Sequence, residues 1–135
     1  MSETDRRPHG LNKSLGLERV VDNGASGRAV IHYRATMDMC HSGGIVQGGF
    51  VTGWLDAAMA HVVLAQSNFE LSPLTLEIKV SFLASAAPGL VIAEAWYEKR
   101  GRKTAFLEGR LLNETGDVLA KASSTVKLVP IKRPG

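Results

Sequence analysis

The sequence is poor in the residues that would indicate disulfide, zinc or redox chemistry. Cysteine occurs once among 135 residues, at Cys40, so an intrachain disulfide is excluded and no CxxC pair exists. The four histidines, His9, His32, His41 and His61, show neither HxxxH nor HExxH spacing. We therefore expect no bound metal ion.

Other absences narrow the functional class. The net charge of +3 is small, and the basic residues are not interleaved with aromatic ones, so we expect no nucleic-acid partner. No uninterrupted apolar run reaches the roughly 18 residues of a membrane span, and the first ten residues contain no apolar signal region. An apolar fraction of 44% and a charged fraction of 21% are typical of a globular protein. The sequence predicts a cytoplasmic protein without a membrane partner.

The hydrophobic pattern predicts one domain. Residues 1–15 lack an apolar pattern and are predicted to be a flexible lead-in, and residues 16–135 are predicted to form the single domain. β-Branched and aromatic residues alternate from Gly27 to Thr36, which predicts a strand. The segment from Gly49 to about Ser67 is long enough for a helix of roughly five turns.

A period of two follows the helix. In residues 74–85, Leu76, Ile78, Val80 and Phe82 alternate with polar residues, which predicts a strand with one buried face. Three more strands are expected within residues 88–100, 101–114 and 115–130, joined by short hairpins. The fold class is therefore α+β, with a five-stranded antiparallel sheet and one long helix.

The predicted helix is apolar on every side, yet it contains Asp56 at its centre. A sheet covers only one side of a helix, so the remaining apolar surface predicts contact with a second copy of the chain. A charge in an apolar segment costs several kcal/mol unless it is paired or used. Asp56 is therefore a candidate catalytic residue, and we expect at least a homodimer.

The start of the helix is the second candidate. Backbone N–H groups at a helix N-terminus are unpaired, and a glycine there lets a ligand approach closely, so Gly48 is a candidate oxyanion donor. Asp56 follows Gly48 by eight residues, about 12 Å along a helix axis. That distance is too long for both to reach one reacting carbon, whereas two antiparallel helices across a dimer axis would bring them together. The spacing predicts a site shared by two subunits.

These segments resemble a known family. Residues 47–56, QGGFVTGWLD, resemble the HGGxxxxLxD signature of acyl-CoA thioesterases of the phenylacetate-pathway, PaaI-like type. The stretches IKVSFLASAAPG, GRKTAF and GDVLAKASSTVKL are similar to strand sequences of that family, and the match covers roughly residues 28–129. The resemblance implies the hotdog fold, an antiparallel sheet wrapped around one long central helix. It also implies hydrolysis of acyl-CoA or aryl-CoA thioesters without a cofactor, by a homotetramer that is a dimer of dimers.

The resemblance assigns roles to individual residues. Asp56 is implied as base or nucleophile and the Gly48 N–H as oxyanion donor, while Thr75 is implied to lie beside the attacking water. Gln47 occupies the usual histidine position of the signature, and His41 falls where the family usually has Asn or Gln, so both are candidate catalytic donors. The implied substrate-binding residues are Gly49, Thr52, Arg100, Arg102 and Lys103, of which the last three would meet the phosphates of coenzyme A.

The sequence leaves two alternative functions open. A hotdog-fold hydratase or dehydratase needs a His–acid pair, but His61 lies about 140° around the helix from Asp56. A non-catalytic acyl-CoA-binding module would not need Asp56. The sequence does not determine whether Asp56 acts as nucleophile or as general base, and it does not determine which acyl group the substrate carries.

Overall fold

A six-stranded antiparallel sheet curls around one long helix in the computed structural model, which describes residues 10–132. The elements are α1 (Leu11–Ser14), β1 (Leu17–Asn23), β2 (Arg28–Ala35), β3 (Cys40–His41), β4 (Ile45–Val46), α2 (Gly48–Gln66), β5 (Leu71–Phe82), β6 (Gly89–Arg100), β7 (Thr104–Asn113) and β8 (Val118–Pro130). The strand order is β1-β2-β6-β7-β8-β5, and β3 and β4 form a separate two-stranded ribbon. The predicted α+β architecture is confirmed.

Helix α2 is the predicted central helix, and its bounds differ from the prediction by one residue at each end. Its buried residues, which recur at helical spacing, are Val51, Trp54, Leu55, Ala58, Met59, Val62 and Val63. By length and composition alone α2 could cross a membrane. Its contacts with β2, β5, β6, β7 and β8 are instead those of a core helix packed on a sheet.

The connection between β5 and β6 differs from the prediction, which was a hairpin. β5 pairs with β8, and β6 pairs with β2 and β7, so residues 83–88 carry the chain away from the edge strand to the other half of the sheet. A short turn-like sequence predicts a change of direction, whereas the choice of the paired strand depends on contacts distant in sequence. Only β6, β7 and β8 form the expected meander.

The sheet has six strands rather than five because β1 pairs with β2. The chain before β1 is attached to the core, since Leu15 is buried and its carbonyl accepts a hydrogen bond from Trp54 Nε1 at 2.7 Å. Trp54 also stacks on Tyr33, with ring centroids 6.2 Å apart. Of the lead-in predicted over residues 1–15, residues 1–9 lie outside the described residues.

The buried face predicted for β5 is only partly correct. Ile78 and Val80 pack against the core, but Leu76 is 61% exposed and Phe82 is 56% exposed. Two features explain the difference. β5 is an edge strand of the sheet, and the register of its pairing with β8 shifts between Thr75 and Glu77, as in a β-bulge.

Candidate active site

The N-terminus of α2 is held by two flanking segments. Val46 N donates to the Ala86 carbonyl and Gln47 N donates to the Met39 carbonyl, both at 2.9 Å. Gln47 has extended backbone angles, φ −67° and ψ 139°, and is the N-cap of the helix. These bonds fix where the helix begins, so Gly48 is its first residue.

The first amide groups of α2 differ in their partners. Gly49 N donates to Gln47 Oε1 at 3.0 Å, and Phe50 N donates to the Gln47 carbonyl at 3.0 Å. Among residues 10–132, the Gly48 N–H has no hydrogen-bond partner. The helix N-terminus therefore offers the Gly48 amide to a ligand, while the Gln47 side-chain oxygen is already engaged as a cap.

Gly48 and His41 line the same pocket, which has a volume of about 430 Å³. The other lining residues are mostly apolar and comprise Ile45, Val46, Val51, Phe82, Leu83, Ala84, Ser85 and Ala86. Volume and composition both suit a small organic ligand with one hydrogen-bond acceptor near the helix end. The structure therefore brings two of the candidate residues from the sequence together in one pocket.

Asp56 lies on the exposed side of α2 and is paired with Thr75. Thr75 Oγ1 donates to Asp56 Oδ1 at 3.2 Å, which is a bond between the helix and the edge strand β5. Thr52, one turn earlier on the same side of the helix, makes no side-chain hydrogen bond to Asp56 within the described part of the chain. The carboxylate therefore has one oxygen held by Thr75 and is accessible to a substrate or water.

The bulge in β5 explains how Thr75 reaches the helix. Simple alternation from Ile78 and Val80 would place Thr75 on the opposite face of the sheet. Because the register shifts between Thr75 and Glu77, Thr75 pairs with Val126, whose buried side chain lies on the helix face. β-Bulges commonly redirect a side chain next to a functional site.

The two candidate groups do not meet within one chain. Neither Asp56 nor Thr75 lines the pocket that contains Gly48 and His41. Along the helix axis, Asp56 is about 12 Å from Gly48. One chain therefore presents two separate candidate groups, which we call half-sites: the pocket that contains Gly48 at the start of α2, and the carboxylate–hydroxyl pair at its middle.

The basic residues Arg100, Arg102 and Lys103 are exposed in the β6–β7 hairpin. Arg100 pairs with Ala105, Ala105 with Val126, and Val126 with Thr75, so these residues form one row across four strands. With strands spaced about 4.8 Å apart, the hairpin lies roughly 14 Å from Thr75 across the sheet. It is at the Thr75 end of the sheet, away from the Gly48 pocket.

Sequence reasoning missed Phe82 as a pocket residue. Strict alternation placed it on the buried face of β5, whereas its ring lines the pocket beside Gly48. Its position at the last residue of a strand, next to a loop, was the only available signal. Among residues 10–132, no group of three or more His, Cys, Asp and Glu side chains converges as a metal site would require.

The sequence and the fold both have clear relatives. The family model described as the thioesterase superfamily matches residues 43–120, which include α2 and most of the sheet. No curated protein matches the sequence significantly.

Solved structures with the same architecture include proteins described as thioesterases. A Ralstonia eutropha protein, described as a phenylacetic acid degradation-related candidate thioesterase, is 32% identical, with a TM-score of 0.79 over 92% of this chain and 94% of its own. The Escherichia coli PaaI protein of the phenylacetic acid degradation operon is 21% identical, with a TM-score of 0.76 over 90% of this chain and 83% of its own. A Streptococcus pneumoniae protein described as a hypothetical thioesterase, in a structure with coenzyme A, is 17% identical, with a TM-score of 0.77 over 85% of this chain and 88% of its own. The hotdog fold implied by the sequence is confirmed.

Proposed function

Because the chain belongs to the thioesterase superfamily, we propose that it hydrolyses acyl-CoA thioesters to a free acid and coenzyme A. The observation that carries this proposal is the division of the candidate groups into two half-sites, each suited to one part of thioester hydrolysis. The Gly48 amide is a donor for a carbonyl oxygen, and the accessible Asp56 carboxylate, held by Thr75, is a base or nucleophile.

In the proposed reaction the thioester carbonyl oxygen accepts a hydrogen bond from the Gly48 N–H, helped by His41 or the Gln47 amide group. Asp56 removes a proton from a water molecule held by Thr75, and the resulting hydroxide attacks the carbonyl carbon. The negative charge that develops on the oxygen is stabilised at the helix N-terminus, and the C–S bond then breaks to release the coenzyme A thiolate. A backbone donor of this kind contributes ~10²–10³ in rate and a general base ~10²–10⁴, so no metal or prosthetic group is needed.

Direct attack by the Asp56 carboxylate is the second form of this mechanism. It would break the C–S bond, release the coenzyme A thiolate and leave a mixed anhydride that water then hydrolyses, with the same oxyanion donor in both steps. The exposed position of Asp56 and its single hydrogen bond to Thr75 suit either form.

We propose that each complete site is assembled from two subunits. Gly48 of one protomer would face Asp56 and Thr75 of its partner, which removes the separation of about 12 Å found within one chain. The surface around the half-sites supports this arrangement, since β5 has one unpaired edge within the described residues and exposes Leu74, Leu76 and Phe82. Exposed apolar side chains on an edge strand favour pairing with another chain.

The basic hairpin fits the same arrangement. A substrate that reacts beside Asp56 and Thr75 would direct its coenzyme A portion toward the hairpin in the same row of the sheet. We propose that Arg100, Arg102 and Lys103 bind its phosphates, as guanidinium and ammonium groups commonly do. Gly49 and Thr52 are proposed to line the substrate near the helix start. We further propose a cytoplasmic dimer of dimers, whose acyl specificity includes aryl groups.

The alternative functions are less well supported by the geometry. A hydratase would need a histidine beside the acid, but His61 Nδ1 is 2.9 Å from the Ala57 carbonyl of its own helix. A module that only binds acyl-CoA would not need the register shift that turns Thr75 toward Asp56, or the hydrogen bond between the two side chains.

Thiol release from a panel of aryl and straight-chain acyl-CoAs tests the proposed activity. We expect the wild type to hydrolyse at least one class and Asp56→Asn to lose about 10²-fold or more in kcat. Asp38→Asn is the matched control, because it makes the same chemical change at an exposed aspartate outside the half-sites. Full activity of Asp56→Asn would overturn the mechanism, and binding of acyl-CoA without turnover by the wild type would favour the binding module.

A further inference from the structure

The ring of Phe82 lies close to Gly48, the residue that carries the candidate oxyanion donor. A Cβ atom placed on Gly48 would be 3.2 Å from Phe82 Cζ and 3.4 Å from Cε1, so ring and glycine are in close contact. The backbone of this segment is fixed, since Phe82 pairs with Ala120 and both Leu83 N and Ala84 N donate to the Leu119 carbonyl. Phe82 as a whole is nevertheless 56% exposed, and it borders the pocket.

The composition of the pocket indicates which part of a thioester would contact this ring. Among the described residues that line the pocket, His41 alone could carry a positive charge, and Ile45, Val51 and Leu83 supply apolar walls. The phosphates of coenzyme A would find no partner there, whereas the basic hairpin lies at the other end of the sheet. An apolar pocket of about 430 Å³ suits the acyl group instead.

We propose that Phe82 is a specificity-determining residue whose ring forms the wall of the acyl pocket beside the Gly48 N–H. This inference rests on the proposed thioesterase function. A flat acyl group whose carbonyl oxygen is bound by Gly48 has its plane next to the exposed ring, and two aromatic rings attract each other in offset or edge-to-face contact. A flexible straight chain gains only the burial of its methylene groups. Phe82 therefore favours aryl over straight-chain acyl groups.

The test compares benzoyl-CoA with hexanoyl-CoA as substrates of the wild type and of Phe82→Leu, Phe82→Tyr and Phe106→Leu. Phe106→Leu is the matched control, because Phe106 is also exposed but lies on the opposite face of the sheet from the buried Ala105 and Leu107. We expect Phe82→Leu to lower the ratio of kcat/KM for benzoyl-CoA to that for hexanoyl-CoA by about two- to tenfold. Phe82→Tyr, which keeps the ring, and Phe106→Leu are expected to keep the wild-type ratio.

Each outcome decides a different point. An unchanged ratio in Phe82→Leu, or an equal change in Phe106→Leu, overturns the role of Phe82 while leaving the thioesterase function intact. A wild type that hydrolyses neither these thioesters nor others in the wider panel overturns the proposed function itself, and this inference with it. Thermal unfolding of the variants separates a change in specificity from loss of the fold.

Discussion

Replacing Gly48 with proline removes one candidate catalytic atom, the amide hydrogen, with little other change expected in the helix. Proline is well tolerated as the first residue of a helix, where its fixed φ suits the helix and its missing N–H has no helical partner. It also requires an extended residue before it, and Gln47 already has ψ 139°. Gly48→Pro should therefore fold.

Alanine at the same position is the matched control. Gly48→Ala keeps the amide but adds a Cβ at the same place, 3.2 Å from Phe82 Cζ. That contact is tight, yet the exposed ring can move by a few tenths of an ångström. A difference between the two variants therefore reports on the replacement of the N–H group by the proline ring rather than on the added Cβ.

We expect Gly48→Pro to lose ~10²–10³ in kcat relative to Gly48→Ala, because one preorganised oxyanion donor contributes about 2.7–4 kcal/mol to the transition state. The assay is steady-state thiol release from the best acyl-CoA substrate, with circular dichroism and thermal unfolding to confirm the fold. A folded Gly48→Pro protein with kcat within about threefold of Gly48→Ala would refute the assignment of Gly48 as oxyanion donor.

Three further predictions concern Thr75, Gln47 and Tyr33. Thr75→Val removes the hydroxyl that donates to Asp56 Oδ1. We expect kcat to fall about two- to tenfold, which corresponds to about 0.5–1.5 kcal/mol for one hydrogen bond, and we expect Thr75→Ser to restore it. Gln47→Ala removes the side-chain oxygen that caps Gly49 N, and we expect the free energy of unfolding, measured by urea titration, to fall by about 0.5–2 kcal/mol. An unchanged urea midpoint would show that this cap does not stabilise the fold. Burial raises the pKa of Tyr33, whose hydroxyl has no partner among the described residues. The folded state therefore keeps the phenol neutral. The contribution of Tyr33 to the free energy of unfolding is complete below the ordinary tyrosine pKa of about 10 and is lost as the pH rises above that value. Unfolding measured from pH 8 to 11 should show a steeper loss of stability in the wild type than in Tyr33→Phe, and parallel curves would contradict this.

The central helix and most strands could be predicted because their signals are local. The long apolar segment from Gly48 to Gln66 and the period-two segments after it determine their own secondary structure. β1 was missed because its residues, LERVVDN, do not alternate, and its pairing with β2 contains two register shifts. The pairing of β5 with β8 was missed because partner choice depends on the whole sheet.

In the candidate site, too, features set by nearby residues could be predicted, whereas features set by contacts distant in sequence could not. Gly48 and Asp56 became candidates from one helix and its charge pattern, and the resemblance to thioesterases added Thr75. Alternation alone would have placed Thr75 on the wrong face, because no sequence signal marks the register shift that turns it toward Asp56. Phe82 was missed for a similar reason, since its exposure depends on β5 being an edge strand.

The claim that two subunits share each site can be tested by mixing two inactive variants. Asp56→Asn keeps Gly48, and Gly48→Pro keeps Asp56, so a mixed dimer contains one intact site and one site with both changes. Co-expression at equal levels gives half mixed dimers by chance, and the preparation should recover about a quarter of the wild-type activity. Each variant alone should retain about 1% or less. Recovery near a quarter is the predicted result, whereas a mixture no more active than its two components would contradict the shared site.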